Sequence, residues 1–359
     1  MNVKELFKTM IEKEASDIFL RTNSVPRARI NGIVKAIDDN SMTLEEIKKI
    51  SDQLLSTDEY KDKFKQNLDI DFAHYEPDVG RFRINIFMQR GTPAIVARHI
   101  KSEVKTFKEL NLPDKLLELF CEESNGLVLL TGPAGSGKTT TIASMIDHIN
   151  QNQEKHIVTM EDPVEFIFKD KKSIINQREL DHDVMSYPQA LKHVTQQSPD
   201  IIYIGNIRDM ETMRAAITAT ELGTFVLTTF HTINAVQTIT RIVNFFPPYL
   251  HDEVRLQLSN LLKGVVSLRL LPRIDHPGRI PAYETMVVTP TIARLIRENK
   301  INEIQSFIDE GDLFGMQSFK QSLVNMVKNG IVDIQDARRY ADSKDDFELE
   351  LKGVKRYSK

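Results

Sequence analysis

The segment Gly132-Pro133-Ala134-Gly135-Ser136-Gly137-Lys138-Thr139 constrains this chain more than any other, because it fixes both a local shape and a ligand class. It fits G-x-x-x-x-G-K-[ST] in full. An apolar run, Leu127 to Leu130, precedes it, and a helical pattern, TTIASMIDHI, follows. A strand, a glycine-rich loop and a helix in that order make a phosphate cradle. The glycines let backbone N–H groups wrap an anion at the helix N-terminus, where the helix dipole favours negative charge. Lys138 is expected to reach the β- and γ-phosphates of ATP, and Thr139 to offer its hydroxyl to Mg²⁺, with Thr140 beside it in the first helical turn. The competing reading is a glycine-rich turn that binds nothing.

The surroundings of this loop predict an α/β fold. From Leu116 onward, short apolar runs alternate with helical segments: GLVLLT, HIVTM, IIYIG and TFVLTTF are the strands. Apolar runs separated by helices argue for a parallel sheet with helices on both faces. After Pro272 the pattern turns mainly helical. Thr289 is placed to cap a helix that starts at Pro290. Residues 315–329 and 333–342 read as two more helices, with Gly330 ending the first. The Lys/Asp/Glu-rich tail after Ala341 is expected to be frayed.

Residues 1–100 read as a separate α/β unit. It opens on an amphipathic helix, MNVKELFKTMIEKE, and a strand, SDIFLRT. Two short strands flank Asn31-Gly32, a strong hairpin signal. Leu44, Ile47, Ile50, Leu54 and Leu55 form one apolar stripe within a helical region over 43–66. LDIDFAHYE, GRFRINIFMQ and TPAIVARHI complete a sheet, and residues 101–114 form the linker. The chain's 359 residues are comfortable for two such units.

Composition removes several function classes. No stretch approaches the roughly 20 apolar residues that span a bilayer. The N-terminal helix lacks the apolar core and cleavage site of a signal peptide, so a cytoplasmic protein with no membrane insertion is expected. The single cysteine, Cys121, excludes an internal disulfide and a multi-cysteine zinc site. The net charge of -4 gives no basic field for nucleic acid, so no nucleic-acid partner is expected.

Hydrolysis of a nucleotide needs a group to poise water. In HIVTMEDPVEF, Glu161 and Asp162 end an apolar strand, where ligands bind in open α/β sheets; a solvated turn is the alternative. PDIIYIGNIRD is a second apolar strand with a polar end, but Asn206 stands where an acid is expected. If that loop is shifted, Asp209 or Glu165 is the substitute acid. His231, in TTFHTINA, lies at a third strand end and is either structural or functional. In the first unit, Arg81 and Arg83 share the face of a strand opposite its apolar set, and Arg98 follows on the next strand. They form either a solvated basic face or a set that completes a nucleotide site.

These segments together resemble the secretion ATPase superfamily, and within it the type IV pilus retraction group. The resemblance covers nearly the whole chain: ASDIFL and GRFRINIF in the first unit, the phosphate loop, TMEDPVEF, PDIIYIGNIRD and TTFHTINA in the second. Pro290-Thr291-Ile292-Ala293-Arg294-Leu295-Ile296-Arg297-Glu298 resembles a helix motif associated with retraction. Extension ATPases usually carry a four-cysteine module where this chain has RLLPRIDHPGRIPAYE. RIVNFFP and the YADS-x-x-D segment with its charged end resemble the PilU type within the group. The resemblance implies a PAS-like N-terminal domain over 1–100 and a RecA-like ATPase core over 115–272. A mainly helical part with a charged tail covers 273–359. It implies a homohexamer at the cytoplasmic face of the inner membrane, partnered by a PilT-type ATPase and a membrane platform protein. Glu161 becomes the general base, and Arg81, Arg83 and Arg98 become candidate nucleotide contacts. The family carries Gly-Glu where this chain has Gly205-Asn206, so hydrolysis is expected to be weakened while ATP binding is kept.

Overall fold

The structure is a computed structural model that describes residues 2–30, 32–100, 103–180 and 182–353. The chain divides into two compact units, one ending at Glu103 and the next starting at Val104.

The first unit holds helix α1 (Val3–Glu12), strands β1 (Ala15–Arg21), β2 (Arg27–Ile30) and β3 (Ile33–Ala36), helices α2 (Leu44–Leu54) and α3 (Asp58–Asn67), and strands β4 (Asp69–Glu76), β5 (Gly80–Gln89) and β6 (Thr92–Ile100). The strands form one sheet in the order β3-β2-β1-β6-β5-β4. Its core is built from the expected periodicities. Leu6, Phe7 and Met10 of α1 and Ile47, Ile50 and Leu54 of α2 pack on Phe82, Ile84 and Ile86 of β5. Phe7 and Phe82 stack with ring centres 3.8 Å apart. The hairpin between β2 and β3 pairs Ile30 with Ile33; Asn31 of the expected turn lies outside the described residues.

The helical region over 43–66 holds two helices, and the apolar stripe from Leu44 to Leu54 lies on the first, α2. Thr57 Oγ1 accepts from the Tyr60 N–H at 3.2 Å and starts a new helix. A capping residue with two acids behind it is a start signal, and here it follows the end of the apolar stripe at Leu55.

The second unit contains α4 (Asp114–Cys121), β7 (Gly126–Thr131), α5 (Lys138–Asn152), β8 (His156–Glu161), β9 (Ile174–Glu179), α6 (Tyr187–Val194), β10 (Ile201–Ile204), α7 (Met210–Glu221), β11 (Phe225–Phe230), α8 (Ala235–Asn244), α9 (His251–Leu261), β12 (Leu262–Pro272) and β13 (Arg279–Val287). These strands form a RecA-like sheet in the order β13-β12-β7-β11-β10-β8-β9. All pairs are parallel except β12 with β13. Both faces are covered, so neighbouring residues go to opposite cores. Leu127 and Leu129 join one cluster, and Val128 and Leu130 join the other. That is why these strands read as unbroken apolar runs.

Strands β9 and β13 escape the apolar-run pattern. β9 is polar because it is an edge strand. β13 lies beyond Pro272, where helices are expected, and pairs with β12 from Gly264↔Val287 to Pro272↔Arg279. It contains Pro281, which reads against a strand; at a sheet edge the missing N–H is tolerated. The sheet therefore continues past Pro272 to Val287. Within β12, Gly264 is required by packing, since a Cβ there would collide with the Phe120 ring.

The remaining helices are α10 (Pro290–Arg297), α11 (Ile304–Asp309), α12 (Phe319–Lys328), α13 (Ile334–Tyr340) and α14 (Lys344–Leu351). Thr289 caps α10, with Pro290 in its first turn, as expected. Gly330 follows α12 with φ 66°. The expectation of a frayed tail after Ala341 is corrected over Lys344–Leu351 by α14, while residues 354–359 of that tail lie outside the described residues. Ser343 caps this helix, and Phe347 is fully buried against the cluster of Leu271, Ile280, Phe319 and Leu323. One large aromatic anchors a segment whose charge otherwise argues for solvent. Phe347→Ala removes about 3 kcal/mol of burial. Limited proteolysis is expected to cut within 344–351 in that variant and to spare the native chain. Equal cleavage of both would show that α14 is not docked through Phe347.

Candidate nucleotide site

Register in the parallel sheet brings four strand ends to one edge. β7 pairs with β11 as Thr131↔Phe230, β11 with β10 as Thr228↔Ile204, and β10 with β8 as Ile204↔Met160. Gly132, His231 and Gly205-Asn206 therefore follow their strands, and Glu161 ends its own, at the carboxyl edge of the sheet, where open α/β folds bind ligands. The Gly132 N–H donates to the Phe230 carbonyl at 3.2 Å, which ties the phosphate loop to the start of the histidine loop.

The loop has the expected cradle geometry. Gly132 takes φ 143°, and a Cβ there would collide with the Leu268 carbonyl and with Ser136. Gly137, at the N-cap of α5, has φ 99°. Pro133, Ala134 and Gly135 are exposed at the rim, while Thr139 and Thr140 are half-buried in the first turn of α5. Ser136 Oγ is buried with no hydrogen-bond partner among the described residues, which suits a loop that receives an acceptor-rich anion. Lys138 Nζ donates to the Gly132 carbonyl at 2.8 Å and to the Pro133 carbonyl at 2.9 Å. Burial pulls the Lys138 ammonium down to about 8, and Glu165 partly offsets this. It stays mainly charged at neutral pH.

Glu161 ends β8 and is 3% exposed. Its Oε1 accepts from Thr159 Oγ1 at 2.6 Å and from Gln177 Nε2 at 3.3 Å. Burial pushes its carboxyl up to about 7, against the downward pull of those two hydrogen bonds. A carboxylate half-titrated near neutrality is poised to take a proton. Gly205 runs close beside it: a Cβ on Gly205 would lie 3.2 Å from Glu161 Cα.

Asn206 is satisfied at both ends of its amide once the amide is turned over, the orientation its neighbours require, because in the opposite one its oxygen faces only acceptors and its nitrogen only donors. Nδ2 donates to the Thr229 carbonyl at 3.2 Å, and Oδ1 accepts from Arg208 Nε at 2.7 Å. Arg208 also reaches Asp162 Oδ2 at 3.8 Å, so it links the loops after β8 and β10. Asp209 caps α7, accepting from the Thr212 N–H at 2.8 Å and from Thr212 Oγ1 at 3.0 Å. Its carboxylate is thereby engaged in the helix cap. His231 is exposed. Partial burial, and then the nearby charges of Lys138, Arg208 and Arg241, lower its pKa, so its ring is neutral at pH 7.

Arg81, Arg83 and Arg98 lie in the first unit. Arg81 stands across from Tyr75. Arg83 forms a fork with Asp71. Arg98 Nε donates to Asp17 Oδ1 at 2.8 Å, and Arg29 reaches the other oxygen of the same buried carboxylate at 3.3 Å. The structure thus joins the strand-end residues to the phosphate loop and places the three arginines on the partly exposed face of the first unit's sheet. Sequence reasoning missed Thr159, Gln177 and Arg208. Thr159 was findable, since it shares a strand face with Glu161 two residues on. Gln177 sits in a polar edge strand that carried no signal.

Comparison with known proteins fits this geometry. The family model described as "Type II/IV secretion system protein" matches residues 1–339. The chain belongs to that family. Among members of the family, "Type IV pilus retractation ATPase PilT" of Pseudomonas aeruginosa is 37% identical over 347 residues, covering 97% of this chain and 100% of that protein. "Type IV pilus ATPase PilU" of the same organism is 35% identical over 352 residues, covering 98% and 92%. Overall identity therefore does not separate the two types. The crystal structure of the pilus retraction motor PilT with bound ADP superposes with a TM-score of 0.89 at 41% identity, covering 98% of this chain and 99% of that one. Loop, strand order and family agree: this is a P-loop ATPase related to PilT and PilU.

Proposed function

We propose that this chain is the subunit of a hexameric ring motor that hydrolyses ATP to retract type IV pili. The observation that carries the reading is the buried Glu161 at the strand end two places along the sheet from β11, on the same edge as the phosphate loop. Full-length likeness to PilT supplies the biological direction. The ring is assigned to the cytoplasmic face of the inner membrane, working with a membrane platform protein and a PilT-type ATPase. Among the described residues no helix is long and apolar enough to cross a membrane.

In this reading Lys138 exchanges the carbonyls of Gly132 and Pro133 for the β- and γ-phosphates, while Ser136 and the loop N–H groups accommodate the anion. Thr139 would hold Mg²⁺. Its single hydroxyl, with no cluster of metal-ligating side chains among the described residues, suits an ion carried mainly by phosphates and water. Bound there, the ion neutralises phosphate charge. Glu161 takes the proton of the attacking water, and neutral His231 offers a hydrogen bond at the phosphate end. Arg81, Arg83 and Arg98 are assigned to nucleotide contact when the ring is assembled; for Arg83 and Arg98 this requires exchanging Asp71 and Asp17 for phosphate.

The first reading takes the chain as PilU-like with hydrolysis weakened at Asn206, and the same residue favours a second, an ATP-binding structural or regulatory ring that supports a separate PilT-type retraction motor. Asparagine is neutral and cannot accept a proton as a carboxylate does. Here its amide is engaged by Arg208 and Thr229. Hydrolysis is therefore expected to be slow, with ATP affinity kept. Asn206→Glu is expected to raise kcat by about 10²-fold, the low end of the range of about 10²–10⁴ that one positioned catalytic group commonly contributes, without tightening ATP binding. The test is steady-state ATPase activity of both proteins at saturating Mg-ATP, alone and with a PilT-type partner. Equal rates would remove Asn206 from the account.

A further inference from the structure

Strand β12 touches the phosphate loop and the histidine loop, and its Arg269 side chain reaches the helical tail. Its Leu268 carbonyl lies against Gly132, the first residue of the phosphate loop. The next residue, Arg269, is buried, with a side chain 9% exposed. Its Nη2 donates to the Ile233 carbonyl at 3.2 Å and to Asp342 Oδ1 at 2.5 Å. Its Nη1 donates to the Tyr340 carbonyl. The guanidinium centre lies 3.7 Å from the centre of the Phe319 ring. One side chain thus joins β12, the histidine loop, α12 and the connection between α13 and α14.

The same loop is held from its far end by Glu284 on β13. Oε1 of this fully buried carboxyl accepts from the Ala235 N–H at 2.9 Å, at the first residue of α8. Gln305 Nε2 reaches its other oxygen at 3.5 Å. The loop is therefore pinned at residues 233 and 235, two and four residues after His231. A buried charge is costly unless its hydrogen bonds are made, and an ion pair kept for stability alone is often replaceable by apolar packing. Arg269 and Glu284 instead direct hydrogen bonds at the backbone of the segment that carries His231.

We propose that Arg269 and Glu284 are positioning residues for His231, and that Asp342 and the Tyr340 carbonyl latch the helical tail onto the histidine loop through Arg269. The inference rests on the reading of His231 as a group at the phosphate end. The tail is then part of the catalytic assembly: whatever moves α13 and α14 moves the histidine loop, and the reverse holds by linkage.

The test is kinetic and uses the full-length chain. Asp342→Ala removes the side-chain half of the latch at a half-exposed position and leaves the Tyr340 carbonyl bond. It is expected to lower kcat about fivefold with KM for ATP within about twofold, because small displacements of a catalytic group act on the reacting geometry more than on binding. Asp342→Glu is expected to restore kcat to within about twofold of native. Arg269→Lys, which keeps the charge and loses the planar fork, is expected to lower kcat as Asp342→Ala does. In a His231→Ala background, Asp342→Ala is expected to change kcat no further, since the two act through one group. An unchanged kcat in Asp342→Ala beside a large loss in His231→Ala overturns the latch and leaves the site reading intact. Additive losses in the double variant overturn it too. Unchanged kcat in both single variants removes His231 from the site, and the latch with it.

Discussion

Lys138→Ala is expected to lose ATP binding by about 10²–10³-fold. The ammonium is the loop's point charge for the β- and γ-phosphates, and hydrogen bonds to charged groups contribute about 1.5–3 kcal/mol each. Two such bonds would give a larger loss, but the free protein already satisfies Lys138 with the Gly132 and Pro133 carbonyls. Binding exchanges those neutral acceptors for charged ones, so only the difference counts. The lowered pKa of Lys138 acts in the same direction: a desolvated ammonium gains more from a nearby phosphate than an exposed one. Titration with a fluorescent ATP analogue measures the loss, and a thermal melt separates it from unfolding, since the variant leaves two carbonyls without their donor. Native affinity in a folded variant would refute the loop assignment.

Glu161→Gln is expected to lower kcat by about 10²–10⁴ and to leave ATP affinity near native. The substitution keeps the shape and one acceptor oxygen for Thr159 and Gln177, and replaces the other oxygen with a non-basic amide nitrogen. It has a pH signature as well. Burial raises Glu161 from 4.5 to about 7. The base works as the carboxylate, so kcat/KM of the native enzyme should climb from acid pH through about 7 and then level off. That limb should vanish in Glu161→Gln. A variant that keeps the native limb would assign it to another group, and a variant with native kcat would show that Glu161 is not the base.

How much of this was legible depended on whether a residue's neighbours lie along the chain or across it. The phosphate loop was readable because strand, glycines and helix are contiguous. The strand-end positions of Glu161, Asn206 and His231 were readable because parallel strands covered on both faces advertise themselves as apolar runs. The first unit's sheet was readable from alternation in β5. Long-range partners carried no such signal. Gln177 reaches Glu161 from a polar edge strand. Pro281 disguised β13. Phe347 hid in a charged tail that its burial holds in place. Arg269 carried no signal in the sequence, because Ile233, Tyr340 and Asp342, which the fold sets around it, are distant along the chain. Asp209, one of the two substitute acids beside Glu165, is used in the structure as the cap of α7 through Thr212.

The central claim is that this site hydrolyses ATP with Lys138 holding the phosphates and Glu161 as base. It is tested most directly by phosphate release from Mg-ATP by the purified full-length chain, beside Lys138→Ala and Glu161→Gln, each alone and with a PilT-type partner present. The account predicts magnesium-dependent release by the native chain, a strongly reduced kcat in Glu161→Gln with near-native KM, and no release by Lys138→Ala alone. Release at the native rate by both variants, or none by the native chain in either condition, would contradict it.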